Sequence, residues 1–298
     1  MTWLKQIKKL DITKLLFILP AFLILVSLLI YPIFSSIFYS LTSKHLIRPD
    51  FEMIWLENFK YVLTNPEFYK AFLTSIKWTF FSITGQVLVG FAAALAINRI
   101  NRFSGMYKTL LIIPWAFPAI VTGLTWKWML NGVNGFLPNF LVKIGLVSQP
   151  IDFLSNPNFA FWVAVIINIW FGAPLFMVNI LSALKTIPKE QYEAVKVDGA
   201  NAFQSFRNIT LRHVRSVIGA LLIVRIIWVF NNFEFIYLLT GGGPGGLTET
   251  LPIFAYKTGW NLKQLGTASA ITVLLLIFMI VASFVLFRIL DRWEREDH

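Results

Sequence analysis

The 298 residues of this chain are too apolar for a soluble globular domain: 57% are hydrophobic, 14% are charged and the mean hydropathy is +0.68. There is no cysteine, and the three histidines are scattered, which argues against a disulfide framework and against metal or thiol chemistry. We interpret the net charge of +11 as the cytoplasmic excess of lysine and arginine in a membrane protein, and not as a nucleic-acid-binding surface.

Six apolar stretches have the length of about 20 residues that a helix needs to cross the hydrocarbon core of a bilayer. Helices are the expected spanning form because an open strand edge in lipid would leave backbone groups without hydrogen bonds. The sequence therefore predicts an all-α membrane protein, with one transmembrane domain over residues 1–298. The predicted spans are residues 14–41, 71–98, 106–130, 159–184, 214–240 and 265–289.

The first stretch follows four lysines, as the apolar segment of a cleaved signal peptide would. Its apolar residues continue to Leu41, however, and no clear pair of small residues marks a cleavage site. We therefore expect it to remain as the first span, bent near Pro20 and Pro32.

The lysines and arginines between the spans predict the orientation. Six spans place both termini on one side, and the loops on that side carry more than twice as many of these residues as the loops on the other side. Both termini are therefore predicted to be cytoplasmic, in a multi-pass protein of a cell membrane. The loop at residues 185–213, between spans four and five, is then cytoplasmic too.

That loop is predicted to fold as a helix, a turn and a second helix. Pro188 followed by Lys189 and Glu190 is a helix-start signal. Asp198 and Gly199 end the helix, since glycine readily adopts the left-handed conformation. A second apolar pattern follows over residues 203–211. These properties fit equally a surface helix packed on its own protein and a docking element for a soluble partner.

A glycine-rich segment follows span five, with the sequence NNFEFIYLLTGGGPGG over residues 231–246. It is not a phosphate-binding loop, because it lacks the GK[ST] ending and follows no strand. We expect Gly241 to Pro244 to end span five sharply, so that the nearby polar side chains face an aqueous vestibule; a flexible connector is the alternative.

Two motifs resemble those of a known family. Glu193-Ala194-Val195, then Gly199, then residues 209–211 are similar in type and spacing to the EAA loop of binding-protein-dependent ABC importer permeases. Val195 stands where a second alanine is usual, and Arg212 where proline is usual. Without the fixed φ of proline, we expect a looser connection between the loop and span five. The TGGGP and TETL segments at residues 240–251 are similar to a segment of the carbohydrate-uptake branch of that family.

The resemblance implies a transport subunit, not an enzyme, with no catalytic residue, no metal site and no cofactor of its own. It implies a coupling helix in which Glu193 makes a charged contact with an ATPase subunit, Ala194 permits close packing, and Asp198 and Gly199 form the turn. The implied partners are a second, related permease subunit in a heterodimer, two ATPase subunits that bind ATP and Mg²⁺, an extracytoplasmic solute-binding protein and membrane lipid. No nucleic acid is implied.

Substrate contacts are expected from polar and aromatic side chains within spans four and five, because polarity inside lipid is unfavourable without a partner. Hydrogen bonds between helices are the alternative role for each asparagine, and a buried pair or an interior contact is the expected role of Arg225. The resemblance implies import of a sugar or oligosaccharide. In the alternative, a glycerol phosphate or related phosphodiester, Arg225 would face the pathway; an ATP-independent secondary transporter is a further alternative. The candidate pathway residues are Asn168, Asn179, Trp228, Asn231, Asn232, Glu234 and Phe235.

Overall fold

A computed structural model describes residues 12–100 and 102–295. This part of the chain is helical and has no β-strand beyond one isolated bridge between Thr42 and Met53. Short π-helical turns occur at Val26–Ile30, Phe206–Leu211 and Lys257–Asn261. The α-helices are α1 (Ile12–Leu25), α2 (Tyr31–Ser40), α3 (Glu57–Thr64), α4 (Pro66–Arg99), α5 (Ser104–Ala116), α6 (Ala119–Met129), α7 (Phe136–Lys143), α8 (Ala160–Lys185), α9 (Lys189–Val197), α10 (Ala202–Ser205), α11 (Arg212–Phe230), α12 (Glu234–Leu239), α13 (Leu251–Tyr256) and α14 (Leu265–Arg295).

Five continuous helical segments of the described chain are long and apolar enough to cross a membrane, and a bent helix pair makes up to six. The prediction of an all-α membrane protein is confirmed, and six spans are present when the bent pair counts as one. The lysines up to Lys9 that precede the first span lie outside the described residues. The five segments are Leu16–Ser40, Pro66–Arg99, Ala160–Lys185, Ala202–Phe230 and Leu265–Leu290.

The third predicted span is not one straight helix. The axes of α5 and α6 meet at 90° across a break of two residues. Phe117 is extended, with ψ of 143°, as the residue before a proline usually is. Pro118 is the N-cap of α6, where its missing N–H interrupts no bond within the helix. The single helix expected over residues 106–130 is therefore wrong.

The second span begins earlier than predicted, at Pro66 and not at residue 71. Proline at the start of a helix and Glu67 in its first turn are both favourable there. With 34 residues, α4 is about 51 Å long, about 20 Å more than the hydrocarbon core. One or both of its ends therefore extend beyond the core into the polar layer.

The chain forms two compact units. In the unit that comprises residues 66–254 and 276–295, α4 packs most extensively against α8, and α11 packs on both. The core between these helices contains Trp78, Phe176, Met177 and Ile180, all fully buried. The indole N–H of Trp78 donates to the backbone oxygen of Val229 at 3.1 Å, which fixes α11 against α4.

The unit that comprises residues 12–65 and 255–275 is held together at Asn58. The Asn58 amide nitrogen donates to the backbone oxygens of Ser40 at 2.9 Å and Thr42 at 2.8 Å. Its amide oxygen accepts from the Thr267 hydroxyl at 3.0 Å. One buried side chain thus joins α3, the end of α2 and the start of α14.

Replacing Asn58 by leucine is expected to destabilise this unit by about 1–3 kcal/mol, because the two backbone oxygens lose their donor in a buried place. Asn58→Asp is expected to cost at least as much, since an oxygen then faces both carbonyls. Thermal unfolding in detergent measures both effects. The exposed Asn261→Leu of the same unit is the matched control. Equal melting temperatures for all three variants would contradict this account.

Candidate functional site

The loop between spans four and five contains helix α9, which ends in a tight hydrogen-bonded turn. The N–H of Ala200 donates to the oxygen of Val195 at 2.9 Å, and the N–H of Gly199 donates to the oxygen of Lys196 at 3.1 Å. These two bonds form a Schellman motif, which requires a left-handed residue after the helix. Gly199 has a φ of +81° and meets this requirement.

The second helix of the loop begins with a capping box that we did not anticipate. The Asn201 side chain accepts from the backbone N–H of Gln204 at 2.9 Å, and the Gln204 side chain accepts from the backbone N–H of Asn201 at 2.8 Å. The signal was available in the sequence as Asn-x-x-Gln after the turn. From Ala202 the chain continues as one helical segment to Phe230.

Arg212 lies within this continuous segment, at the position where the family usually has proline. Its φ of −60° and ψ of −43° are helical, and the φ is within the range that proline itself adopts. The looser connection expected between the loop and span five is not observed, because the helix passes through Arg212 without a break.

Helix α9 is attached to the start of span five. The Tyr192 hydroxyl lies 2.9 Å from the hydroxyl oxygen of Thr210, which is buried. At the other end of the loop, the Thr186 hydroxyl lies 3.0 Å from His213 Nε2. The opposite face of α9 is open: Glu193 and Ala194 are exposed, and the Val197 side chain is 88% exposed.

Tyr192→Phe and Thr210→Val are each expected to destabilise the chain by about 1 kcal/mol, the usual net value of one hydrogen bond. The double variant should be less unstable than the sum of the two, because both lose the same bond. Thermal unfolding of the three variants measures this coupling. Tyr61→Phe, which changes an exposed tyrosine, serves as the control. Strictly additive effects would show that the two hydroxyls do not interact.

Span five ends earlier than predicted. The helix stops at Phe230, and ten residues separate it from the glycine run that begins at Gly241. Helix α12 begins at Glu234. The Asn231 side chain donates to the oxygen of Ile227 at 2.9 Å, and the Asn232 side chain accepts from the N–H of Phe235 at 3.2 Å. The two asparagines thus end one helix and start the next, so the prediction that Gly241 to Pro244 end this span is wrong.

The candidate pathway residues fall into three groups. Trp228, Asn231 and Glu234 are exposed on the last turn of α11 and the start of α12, and Trp228 is 54% exposed. Asn232 is half-buried beside them. Phe235 is fully buried, and its ring centroid lies 5.9 Å from that of Phe171.

The two asparagines of span four lie apart from that group. Asn168 is buried, and its oxygen atoms accept from Gln86 on α4. Asn179 is half-buried, and its amide nitrogen donates to the oxygen of Leu175 at 2.8 Å. Asn179 also lines a cavity of about 840 Å³ next to the loop, together with Gln191 and His213.

Arg225 is buried between α4, α8 and α11. Its Nε and Nη2 atoms donate to Gln86 Oε1 at 3.1 Å and 2.8 Å. Gln86 was missed in the sequence, although a glutamine inside an apolar stretch is itself a signal of an interior hydrogen bond. Arg225 is therefore the interior contact that was one of its two predicted roles.

Comparison with known proteins identifies the family of this chain. Residues 86–296 match the family model described as "Binding-protein-dependent transport system inner membrane component". The chain belongs to this family. It is a permease, an integral membrane subunit of a binding-protein-dependent transport system.

Several characterised proteins resemble this permease over most of their length. The trehalose/maltose transport system permease protein MalF of Thermococcus litoralis is 34% identical over 269 residues, which are 90% of each chain. The diacetylchitobiose uptake system permease protein DasB of Streptomyces coelicolor is 30% identical over 95% of this chain and 88% of its own. A chain of a bacterial ABC transporter for the acidic polysaccharide alginate has the same fold, with a TM-score of 0.82, 21% identity and coverage of 98% and 99%.

In this permease the glycine-rich segment is an ordered loop. The Thr248 hydroxyl donates to the oxygen of Gly243 at 2.7 Å and lies 2.6 Å from the Thr240 hydroxyl. The backbone N–H of Gly242 donates to the Thr240 hydroxyl at 3.2 Å. The flexible-connector alternative does not fit these bonds.

The described part of the permease has no cluster of three or more histidine, aspartate or glutamate side chains arranged to hold a metal ion. Glu234, on the first turn of α12, is the acidic member of the candidate pathway residues. The exposed side chains of Trp228, Asn231 and Glu234 offer an aromatic ring and hydrogen-bonding groups.

Proposed function

We propose that this permease and a second, related permease subunit form the pathway of an ATP-driven importer for a neutral sugar or oligosaccharide. An extracytoplasmic solute-binding protein would deliver the substrate. The observation that carries the proposal is the likeness, over nearly the whole chain, to permeases named for trehalose/maltose transport and for diacetylchitobiose uptake. Both names refer to disaccharides.

The proposed topology has both termini and the loop at residues 185–213 in the cytoplasm, with the whole chain acting as one transmembrane domain. The distribution of lysine and arginine supports it. In this orientation α9 lies in water at the inner surface of the membrane.

We assign α9 as the coupling helix that docks on an ATPase subunit. Its open face, with Glu193, Ala194 and the strongly exposed Val197, suits a partner surface, since an exposed apolar side chain gains from burial. The hydroxyl pair of Tyr192 and Thr210 supports transmission of a movement of α9 to span five. ATP and Mg²⁺ belong to the two ATPase subunits in this proposal.

The exposed group Trp228, Asn231 and Glu234 is proposed to contact the sugar, with the Trp228 ring against a sugar face and the polar side chains on its hydroxyls. Asn232, half-buried beside them, extends this surface, and Asn179 is proposed to contact the sugar separately, at the cavity next to the loop. Asn168 and Phe235 are buried in the chain and are proposed to hold the exposed side chains in place.

A neutral substrate fits better than a phosphodiester. The phosphodiester alternative needs Arg225 at the pathway surface, where a guanidinium could pair with phosphate. Arg225 is only 5% exposed and donates to Gln86. Uptake by proteoliposomes that contain the complete complex tests the proposal, with trehalose, maltose, diacetylchitobiose and glycerol 3-phosphate as substrates. Uptake of the phosphate ester alone would overturn it.

Trp228→Ala is expected to reduce sugar uptake about three- to tenfold, since one aromatic contact contributes about 0.5–1.5 kcal/mol. Basal ATP hydrolysis should not change. Radiolabelled sugar uptake and phosphate release measure the two activities. Trp260→Ala, which removes another exposed indole, is the matched control. An equal loss of uptake in both variants would contradict a specific role for Trp228.

A further inference from the structure

A chain of hydrogen bonds starts at Arg225 and crosses three membrane-spanning helices. Both donated bonds of Arg225 end on one oxygen atom, Gln86 Oε1. The Gln86 amide nitrogen then donates to the side-chain oxygen of Asn168 at 2.8 Å and to its backbone oxygen at 3.1 Å. The guanidinium is therefore held in one place by α4, and Gln86 is held in turn by α8.

Close packing restricts this group further. Gly172 on α8 faces both Gln86 and Arg225, and a methyl group at this position would collide with both side chains. Arg225 therefore has no room to swing toward α8. The position of the positive charge is fixed by packing as well as by hydrogen bonds.

Arg225 has no carboxylate partner within the part of the chain that the structure describes. Among residues 12–100 and 102–295, no carboxylate forms an ion pair with Arg225; its partners are the neutral Gln86 and the ring of Trp228. A charge inside a membrane protein is unfavourable, and neutral amide side chains can join helices equally well. A purely structural link would therefore not need an arginine here.

The charge lies next to the proposed pathway surface. The Arg225 guanidinium carbon is 5.9 Å from the centroid of the Trp228 ring, and Trp228 is 54% exposed. A fixed positive charge in surroundings of low dielectric constant repels other cations over several ångströms, and a neutral sugar feels no such repulsion.

We propose that Arg225 is a fixed electrostatic barrier that keeps protons and metal cations out of the pathway while a neutral solute passes. This inference rests on the proposed pathway surface at Trp228. It gives the buried arginine a role in selectivity that requires its charge and no direct contact with the sugar.

Three variants test the charge separately from the packing. Arg225→Gln removes the charge, whereas Gln86→Glu keeps the arginine and places a neutralising carboxylate beside it. Arg225→Lys retains a positive charge in a smaller side chain. The complete complex is reconstituted in proteoliposomes, and the influx of protons and Na⁺ is followed with fluorescent dyes, both at rest and with ATP and vanadate. Cl⁻ and sucrose influx are measured in parallel.

We expect Arg225→Gln and Gln86→Glu to raise proton and Na⁺ influx about tenfold, the factor that corresponds to a repulsion of about 1.4 kcal/mol. Arg225→Lys should raise it less than about threefold, and Cl⁻ and sucrose influx should not rise. Arg207→Gln, which removes an exposed positive charge, is the matched control and should leave all influxes unchanged.

The proposal is overturned if Gln86→Glu leaves cation influx at the wild-type value, or if cations, Cl⁻ and sucrose all leak equally, as a packing defect would cause. If Arg225→Gln fails to assemble, Gln86→Glu decides by ion selectivity. This variant also removes the amide donor to Asn168, so only a rise confined to cations, without Cl⁻ and sucrose, supports the barrier. A wild-type complex that imports none of the tested sugars would contradict the proposed function instead, because the comparison of cation influx requires no sugar transport.

Discussion

Gly199→Val is expected to abolish most sugar uptake, by at least about tenfold, while ATP hydrolysis by the complex continues. A β-branched residue is strongly disfavoured at the φ of +81° that Gly199 adopts, and the Schellman motif at the end of α9 cannot form without that conformation. An added Cβ at Gly199 has no atom of more distant residues within 4 Å, so the effect comes from the local backbone conformation and not from a collision with the rest of the protein. The measurement is sugar taken up per ATP hydrolysed, in proteoliposomes.

Two controls separate the turn from the contact surface. Gly199→Asn should retain most uptake, because asparagine tolerates the left-handed region. Glu193→Lys leaves the turn unchanged and reverses a charge on the open face of α9, so it should also reduce uptake per ATP. Glu190→Lys, in the first turn of the same helix, should do so less. Normal coupling in both Gly199→Val and Glu193→Lys would remove the assignment of α9.

The features that were predicted correctly depend on residues close together in the chain. Span four was predicted at 159–184 and forms Ala160–Lys185; span six was predicted at 265–289 and forms Leu265–Leu290. A membrane requires a continuous apolar run, so length and composition suffice to find such helices. The form of the loop at 185–213 was equally local, since Pro188 starts α9 and Gly199 ends it.

The breaks in the spans were harder to predict, because hydropathy does not change at them. Residues 106–130 are mostly apolar on both sides of the break, yet the chain turns by 90° at Phe117 and Pro118. The end of span five follows from the side-chain bonds of Asn231 and Asn232, which compete with the helix backbone. Pro118, Asn231 and Asn232 are visible in the sequence, but our prediction placed the span ends by the length of the apolar runs alone.

The interior hydrogen bonds could not be predicted, because they join residues far apart in the chain. Gln86 and Arg225 are separated by 139 positions, and Asn168 joins them from a third helix. The sequence left Arg225 with two possible roles, an interior contact or a pathway residue. Only the packing of α4 on α8 and α11 decides between them. The roles of the pathway and coupling residues stay predictions.

The second large effect that we expect is a loss of stability when the close approach of α4 and α8 is disturbed. A Cβ at Gly90 would lie 2.6 Å from Phe176 Cβ, 2.8 Å from the oxygen of Ala173 and 3.0 Å from the nitrogen of Met177. Two of these atoms belong to the backbone, so no side-chain rotation relieves the contact and the helices must separate. Small residues allow such contacts in membranes, where van der Waals packing holds helices together.

Gly90→Val is therefore expected to destabilise the chain by about 3 kcal/mol or more and to prevent its recovery as a folded protein, with Gly90→Ala intermediate. Gly105→Ala is the matched control: its Cβ would meet no atom within 4 Å, and alanine favours a helix by about 1 kcal/mol over glycine. Thermal unfolding in detergent compares the two alanine variants directly. If both have the wild-type melting temperature, α4 and α8 can separate by several tenths of an ångström without cost. The contact between these helices would then not hold Gln86 against Arg225 as tightly as the barrier at Arg225 requires.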